Sequence, residues 1–135
     1  IVVTPIYDSM YIAVDFDGTI FKHEYPAIGE EVPMAIDIIG RLQAKGHKII
    51  LYTMRHGEAL TAAIEACRAR GVEFWAHNHN PEQASFSLSP KIWANVYIDD
   101  AALGCPLFYG TNPNERPWVN WSRVYDLLVE RGYLD

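Results

Sequence analysis

Two aspartates, Asp15 and Asp17, stand with one residue between them in the run YIAVDFDGTIF, residues 11–21. A second acidic pair, Asp99 and Asp100, closes WANVYIDD, residues 93–100. Between the pairs lie Thr53, at the end of HKIILYT, and Lys91, just ahead of the second acidic run. At an effective dielectric of about 20, two carboxylates about 4 Å apart repel by about 4 kcal/mol. Four of them gathered at one place need a compensating cation. A hard divalent ion fits, and Mg2+ suits one or two carboxylates together with a phosphate and water. A carboxylate also serves as a nucleophile toward phosphorus. A second acid two residues on can protonate a leaving oxygen and then activate water. The Thr53 hydroxyl and the turn N–H groups around Gly18 can hold phosphoryl oxygens. Lys91 adds a positive charge. These residue types point to metal-assisted phosphoryl chemistry.

That chemistry requires the acids to converge, so the elements that carry them matter. YIAVDF is a short apolar, β-branched run of the kind expected for a strand covered on both faces. EEVPMAIDIIGRLQAKG reads as a helix with Val32, Ala35, Ile36, Ile39 and Leu42 on one face, Pro33 in its first turn and Gly46 as its stop. HKIILYT is a second buried strand. GEALTAAIEACRARG is a second helix, with Leu60, Ala63, Ile64 and Cys67 at helical spacing. VEFWAHN reads as a third strand, residues 78–90 as a polar loop, and WANVYIDD as a fourth strand. Pro117 is expected to open a last helix with the stripe Trp118, Trp121, Tyr125 and Leu128. The alternation predicts an α/β fold: a Rossmann-like three-layer sandwich around a mainly parallel sheet. Such sheets bind ligands at the carboxyl ends of their strands. Asp15, Asp17, Thr53, Asp99 and Asp100 all fall there.

The length of 135 residues fits one domain, expected over residues 10–135, with residues 1–9 read as a leader or arm ahead of Met10. Half the chain is hydrophobic, yet no apolar run approaches the roughly 18 residues of a membrane span. The formal net charge of −6 disfavours long nucleic acid as a partner, leaving a nucleotide or a nucleic-acid end open. IVVTPIYDS has no basic region of a signal peptide. Cys67 and Cys105 show no disulfide or CxxC pattern, which points to a reducing, cytoplasmic compartment. An oligomer remains open.

Taken as a set, DFDGT at residues 15–19, Thr53, Lys91 and the Asp99–Asp100 pair resemble the four motifs of the haloacid dehalogenase-like superfamily, in its order. The resemblance spans about residues 10–105. It implies a Mg2+-dependent phosphatase acting on a phosphate ester, with Asp15 as nucleophile and metal ligand. Asp17 would be the general acid/base, with its carbonyl on the metal. Thr53 would bind the phosphoryl group and Lys91 would stabilise the transferring charge. Asp100 is favoured over Asp99 as the direct ligand, with Asp99 in support. Met54, Arg55 and Gly18 join the substrate-binding set. An acid at position 17 favours phosphomonoester hydrolysis, with phosphotransfer or phosphomutation, or a silent phosphoryl-binding protein, as alternatives. The intervals between motifs leave no room for a cap domain. The flap FKHEYP, residues 21–26, and the loop 77–90 are then the specificity elements.

Other residues read more plainly. Arg55 is weighted toward an ion pair at a helix start over a substrate contact. His77 and His79 alternate but lack a third zinc ligand. The tryptophan stripe is read as core, and Cys67 as a small buried hydrophobe.

Overall fold

A computed structural model of the chain describes Tyr7 and residues 9–135. The expectation of an arm over residues 1–9 therefore lies mostly outside the described residues. Of that stretch, Tyr7 donates its N–H to the Gly132 carbonyl at 2.8 Å and sets its ring against Tyr133.

Four short strands form one parallel sheet: β1 (Tyr11–Val14), β2 (Lys48–Leu51), β3 (Ala76–His77) and β4 (Val96–Ile98), in the order β3-β2-β1-β4. Helix α1 (Ala35–Ala44) joins β1 to β2, and α2 (Gly57–Arg68) joins β2 to β3. Successive strands step the same way along the sheet. Right-handed crossovers therefore place both helices on one face. Ile12, Val14, Ile49, Leu51 and Ile98 point to that face. They share one core with Ile38, Ile39 and Leu42 of α1, Ala63 and Cys67 of α2, and Val124 and Leu128 of α3 (Trp121–Glu130).

The chain then reverses direction to reach β4, so the β3–β4 connection crosses the opposite face. An irregular segment with a single 3-10 turn, Gln83–Ser85, does this work. Tyr11 packs on Trp75 and Trp93, and Tyr11 and Lys48 both bond Glu82, at 2.7 Å each. Gln83, buried, holds the segment together. Its amide donates to the Ser89 and Lys91 carbonyls, and its oxygen accepts from the Trp93 N–H. The fold is thus a Rossmann-like α/β sandwich whose third layer is loop rather than helix. Among the described residues, no helix is long and apolar enough to cross a membrane.

Several element boundaries differ from expectation: β3 keeps only Ala76–His77 of the run read as a strand over 72–78, and β4 only Val96–Ile98 of 93–100. Helix α1 starts at Ala35, because Met34 at φ 70° sits in the left-handed region and cannot extend the helix back through Pro33. Its end at Gly46, φ 101°, is as the sequence suggests. The last helix does not open at Pro117. Trp118–Val119 is a strand, β6, antiparallel to β5 (Leu107–Phe108). The helix begins after Asn120, whose side chain accepts the Arg123 N–H at 3.1 Å. Val119 also donates to the Gly18 carbonyl at 2.9 Å, which ties β6 to the first acidic turn.

Trp121 links this helix to the first acidic turn. Its ring is fully buried, and its indole N–H donates to the Thr19 carbonyl at 2.6 Å. Trp121→Phe keeps an aromatic ring but leaves that carbonyl unpartnered. Urea denaturation should show a loss of about 1–3 kcal/mol, with Trp121→Ala losing more through the added cavity.

Candidate functional site

Parallel strands β1 and β4 end side by side, and their registers match Val14 to Ile98. Asp15 follows one and Asp99 and Asp100 follow the other. Carboxylate oxygens of Asp15, Asp99 and Asp100 all lie within 4.8 Å of one another. They face an open cavity of about 600 Å3, whose wall also includes Asp17, Thr53 and Met54.

The turn after β1 is built to allow this approach. Gly18 sits at φ 82°, and a Cβ there would fall 2.2 Å from His23 Nε2 and 2.3 Å from Asp100 Oδ2. Both the backbone conformation and the close packing exclude a side chain. Thr19 is fully buried. Its hydroxyl donates to Asp15 Oδ2 at 3.2 Å and accepts the Asp100 N–H at 3.2 Å. One hydroxyl thereby ties the two strand ends together. His23, from the flap, contacts Asp100 Oδ2 through Nε2 at 2.8 Å.

Burial raises the Asp15 carboxyl from 3.8 to about 8, reinforced by the charge of Asp99 and a hydrogen bond with Asp100. Asp99 is also raised, mainly by burial. Three acids this close disfavour all being charged at once, and a cation among them would favour the charged forms.

Asp17 stands apart from the other three acids. Arg55, 1% exposed, grips it with two parallel bonds: Nε to Oδ2 and Nη2 to Oδ1, each 2.8 Å. Nη1 donates to the Pro26 and Ala59 carbonyls and Nη2 to that of Ala27. All five guanidinium donors are committed, and the group is sandwiched between the Phe16 and Tyr25 rings. Arg55 is therefore corrected from the substrate-binding set to an ion pair with Asp17 that also ties down the flap. Gly18 is corrected as well: its N–H donates to the Phe21 carbonyl at 2.6 Å. The N–H groups of Asp17 and Met54 have no acceptor among the described residues, and both residues line the cavity. The Met54 side chain itself is 95% exposed. Thr53 is placed as expected, on the cavity wall, with its oxygen accepting the Arg55 N–H at 3.1 Å.

Lys91 is not brought to the acids. Its ammonium lies 5.6 Å from the Tyr97 ring centroid and lines a separate cavity with Gln83, Phe86 and Trp93. The Lys91 carbonyl accepts the Gln83 side-chain amide at 2.8 Å.

Sequence reasoning left out three residues of this site. Thr19 was signalled, since a hydroxyl two residues past Asp17 can reach back to its own turn. His23 lies in the flap 21–26 expected to border the site, whereas Arg116 was not signalled, because only tertiary folding brings the β5–β6 hairpin to the cavity.

The fold and the strand-end acids define an α/β domain with an oxygen-donor cluster at the carboxyl edge of its parallel sheet. A solved structure of a conserved protein from Bacteroides thetaiotaomicron is similar: 42% identical, TM-score 0.71, covering 92% of this chain and 93% of its own. The chain belongs to the family of that conserved protein. No family model matches the sequence, and no curated protein matches it.

Removing the carboxylate from Asp17 would leave a buried guanidinium with two unpaired donors. Asp17→Ala should lower the unfolding free energy by about 3–5 kcal/mol, measured by urea denaturation without metal or substrate.

Proposed function

We propose that the chain is a Mg2+-dependent phosphomonoester hydrolase working through a phosphoryl-Asp15 intermediate. The carrying observation is the triad Asp15, Asp99 and Asp100, with ligand atoms within 4.8 Å at the carboxyl edge of a parallel sheet. Its donors are all carboxylate oxygens, the hard set that Mg2+ prefers. Asp15, Asp99 and Asp100 would hold the ion, which would neutralise the acids and polarise a phosphoryl oxygen.

The chain's own groups supply the rest. Thr19 orients the Asp15 carboxylate through its hydroxyl. An Asp15 oxygen attacks phosphorus in line, forming a P–O bond as the ester P–O bond breaks. Asp17 delivers a proton to the departing alkoxide. Its oxygens accept two bonds from Arg55, and a carboxylate has about four lone-pair positions, so sites for that proton remain. Asp17 then takes a proton from water. The water oxygen attacks phosphorus, the bond to Asp15 breaks, and phosphate leaves. The Thr53 hydroxyl and the N–H groups of Asp17 and Met54 offer donors for the equatorial oxygens. Lys91, over Tyr97, has no step in this scheme.

Phosphate release from p-nitrophenyl phosphate and a broad ester panel tests the reading. Turnover should require Mg2+ and stop with chelator. Asp15→Asn should lower kcat by about a thousandfold or more, and acid quenching should trap a phosphoryl group on wild-type protein only. Full activity in metal-replete Asp15→Asn would sink it.

The site also predicts a pH dependence. The Asp15 carboxyl in the folded, metal-free protein titrates near 8, well above its ordinary 3.8. A group raised in this way stabilises the fold fully below the unfolded value. That contribution is lost as pH rises through the folded value. Without metal, Tm should fall from pH 5 to pH 8.5. The Tm gain on adding Mg2+ should be larger at pH 8.5 than at pH 5.

A further inference from the structure

We propose that Arg116 is a specificity residue that receives a second anionic group, phosphate or carboxylate, on the leaving side of the substrate. This rests on the phosphatase reading of the acid cluster. Arg116 lies on the wall of the acid cavity. It also lines a neighbouring cavity of about 410 Å3, and the two share His23 and Arg116. Anything bound at the acids and longer than a bare phosphoryl group has this direction open to it.

The other cations near the site are taken. Arg55 has every donor committed. Lys22, in the neighbouring cavity, pairs with Glu30 at 3.6 Å and lies over the Trp118 ring. Lys91 faces another cavity. Arg116 has no ion pair, hydrogen bond or ring contact among the described residues, so its planar fork of donors is open. The position is also braced. Arg116 precedes β6 by two residues, and Val119 of β6 donates to the Gly18 carbonyl within the acidic turn. The hairpin that carries the arginine is thereby fixed to the turn that carries Asp17.

The surroundings call for such a charge. A chain of net charge −6 with four acids at one mouth repels a polyanionic substrate. Glu24, Glu30 and Glu115 add to that field in the neighbouring cavity. The Glu115 carboxylate is folded onto Gly110, within the hairpin. Arg116 is the cation that faces the acids' cavity from this side. A planar guanidinium binds phosphate or carboxylate through two parallel hydrogen bonds.

The test compares phenyl phosphate, 4-carboxyphenyl phosphate and 1,4-phenylene bisphosphate as substrates in Mg2+. Wild-type kcat/KM should favour the esters with a second anion, beyond what a second identical phosphate gives by statistics. In Arg116→Ala the ratio of kcat/KM for these esters over phenyl phosphate should fall by about tenfold or more, the scale of one charged hydrogen bond. Arg116→Lys should recover part of the preference. Loss for the bisphosphate alone assigns the site to phosphate, and loss for both assigns it to either anion. An unchanged ratio in Arg116→Ala overturns the proposal while leaving the phosphatase reading intact. If no ester is turned over, calorimetric titration of wild-type and Arg116→Ala protein with the same compounds in Mg2+ decides. A selective loss of affinity for the esters with a second anion supports Arg116 without catalysis. Equal affinities, or no binding, overturn it.

Discussion

A buried guanidinium with no spare donor holds this site in shape. Arg55 joins three segments that are remote in sequence: Asp17 after β1, the Pro26–Ala27 bend of the flap, and the first turn of α2 through Ala59. An unpaired charge at 1% exposure would be very costly. The guanidinium therefore stays bound to all its partners, and those partners stay where it needs them. The flap position and the Asp17 side chain are determined together.

A second connection runs through Thr19. Its hydroxyl bridges Asp15 and the Asp100 backbone, and its carbonyl accepts the Trp121 indole. The bare Cα of Gly18 lets His23 and Asp100 come close from the other side. Three carboxylates are thus brought close together at the two strand ends. Burial and mutual repulsion raise Asp15 and Asp99 as a result. The closeness of these oxygen donors is the basis for the proposed Mg2+ chemistry. The two acids of DxD accordingly have different surroundings. Asp15 belongs to the cluster, whereas Asp17 is paired with Arg55.

The sheet explains why the approach is open on one side. Helices α1, α2 and α3 cover one face, and the loop between β3 and β4 covers the other. That loop is knitted by Gln83 and packed on Tyr11 and Trp93, so it serves first as the third layer of the sandwich. Its Lys91 is held over Tyr97. The wall of the acid cavity is built instead from the flap, the β2–α2 turn and the β5–β6 hairpin, which contribute Tyr25, Met54 and Arg116.

Much of this was legible in the residue order. Apolar β-branched runs of four or so residues, alternating with amphipathic helical spacing, specify a parallel α/β sheet, because hydrophobic periodicity is local. The convergence of Asp15, Thr53, Asp99 and Asp100 follows from the same logic, since parallel strands end on one edge. The partners of those residues were not legible. Arg55 had two readings until a carboxylate and three carbonyls from distant segments met its donors. Lys91 carries a charge wherever it sits, and its ammonium lies near the Tyr97 ring rather than among the acids. Trp118 falls at helical spacing, yet its backbone pairs with Leu107–Phe108, and Val119 beside it bonds to Gly18. Composition and periodicity by themselves determined the layers and the edge at which the acids lie. Only tertiary structure decided which acid is clustered, which is paired and which cation faces them, because donors and acceptors are matched across the chain by proximity, which spacing does not encode.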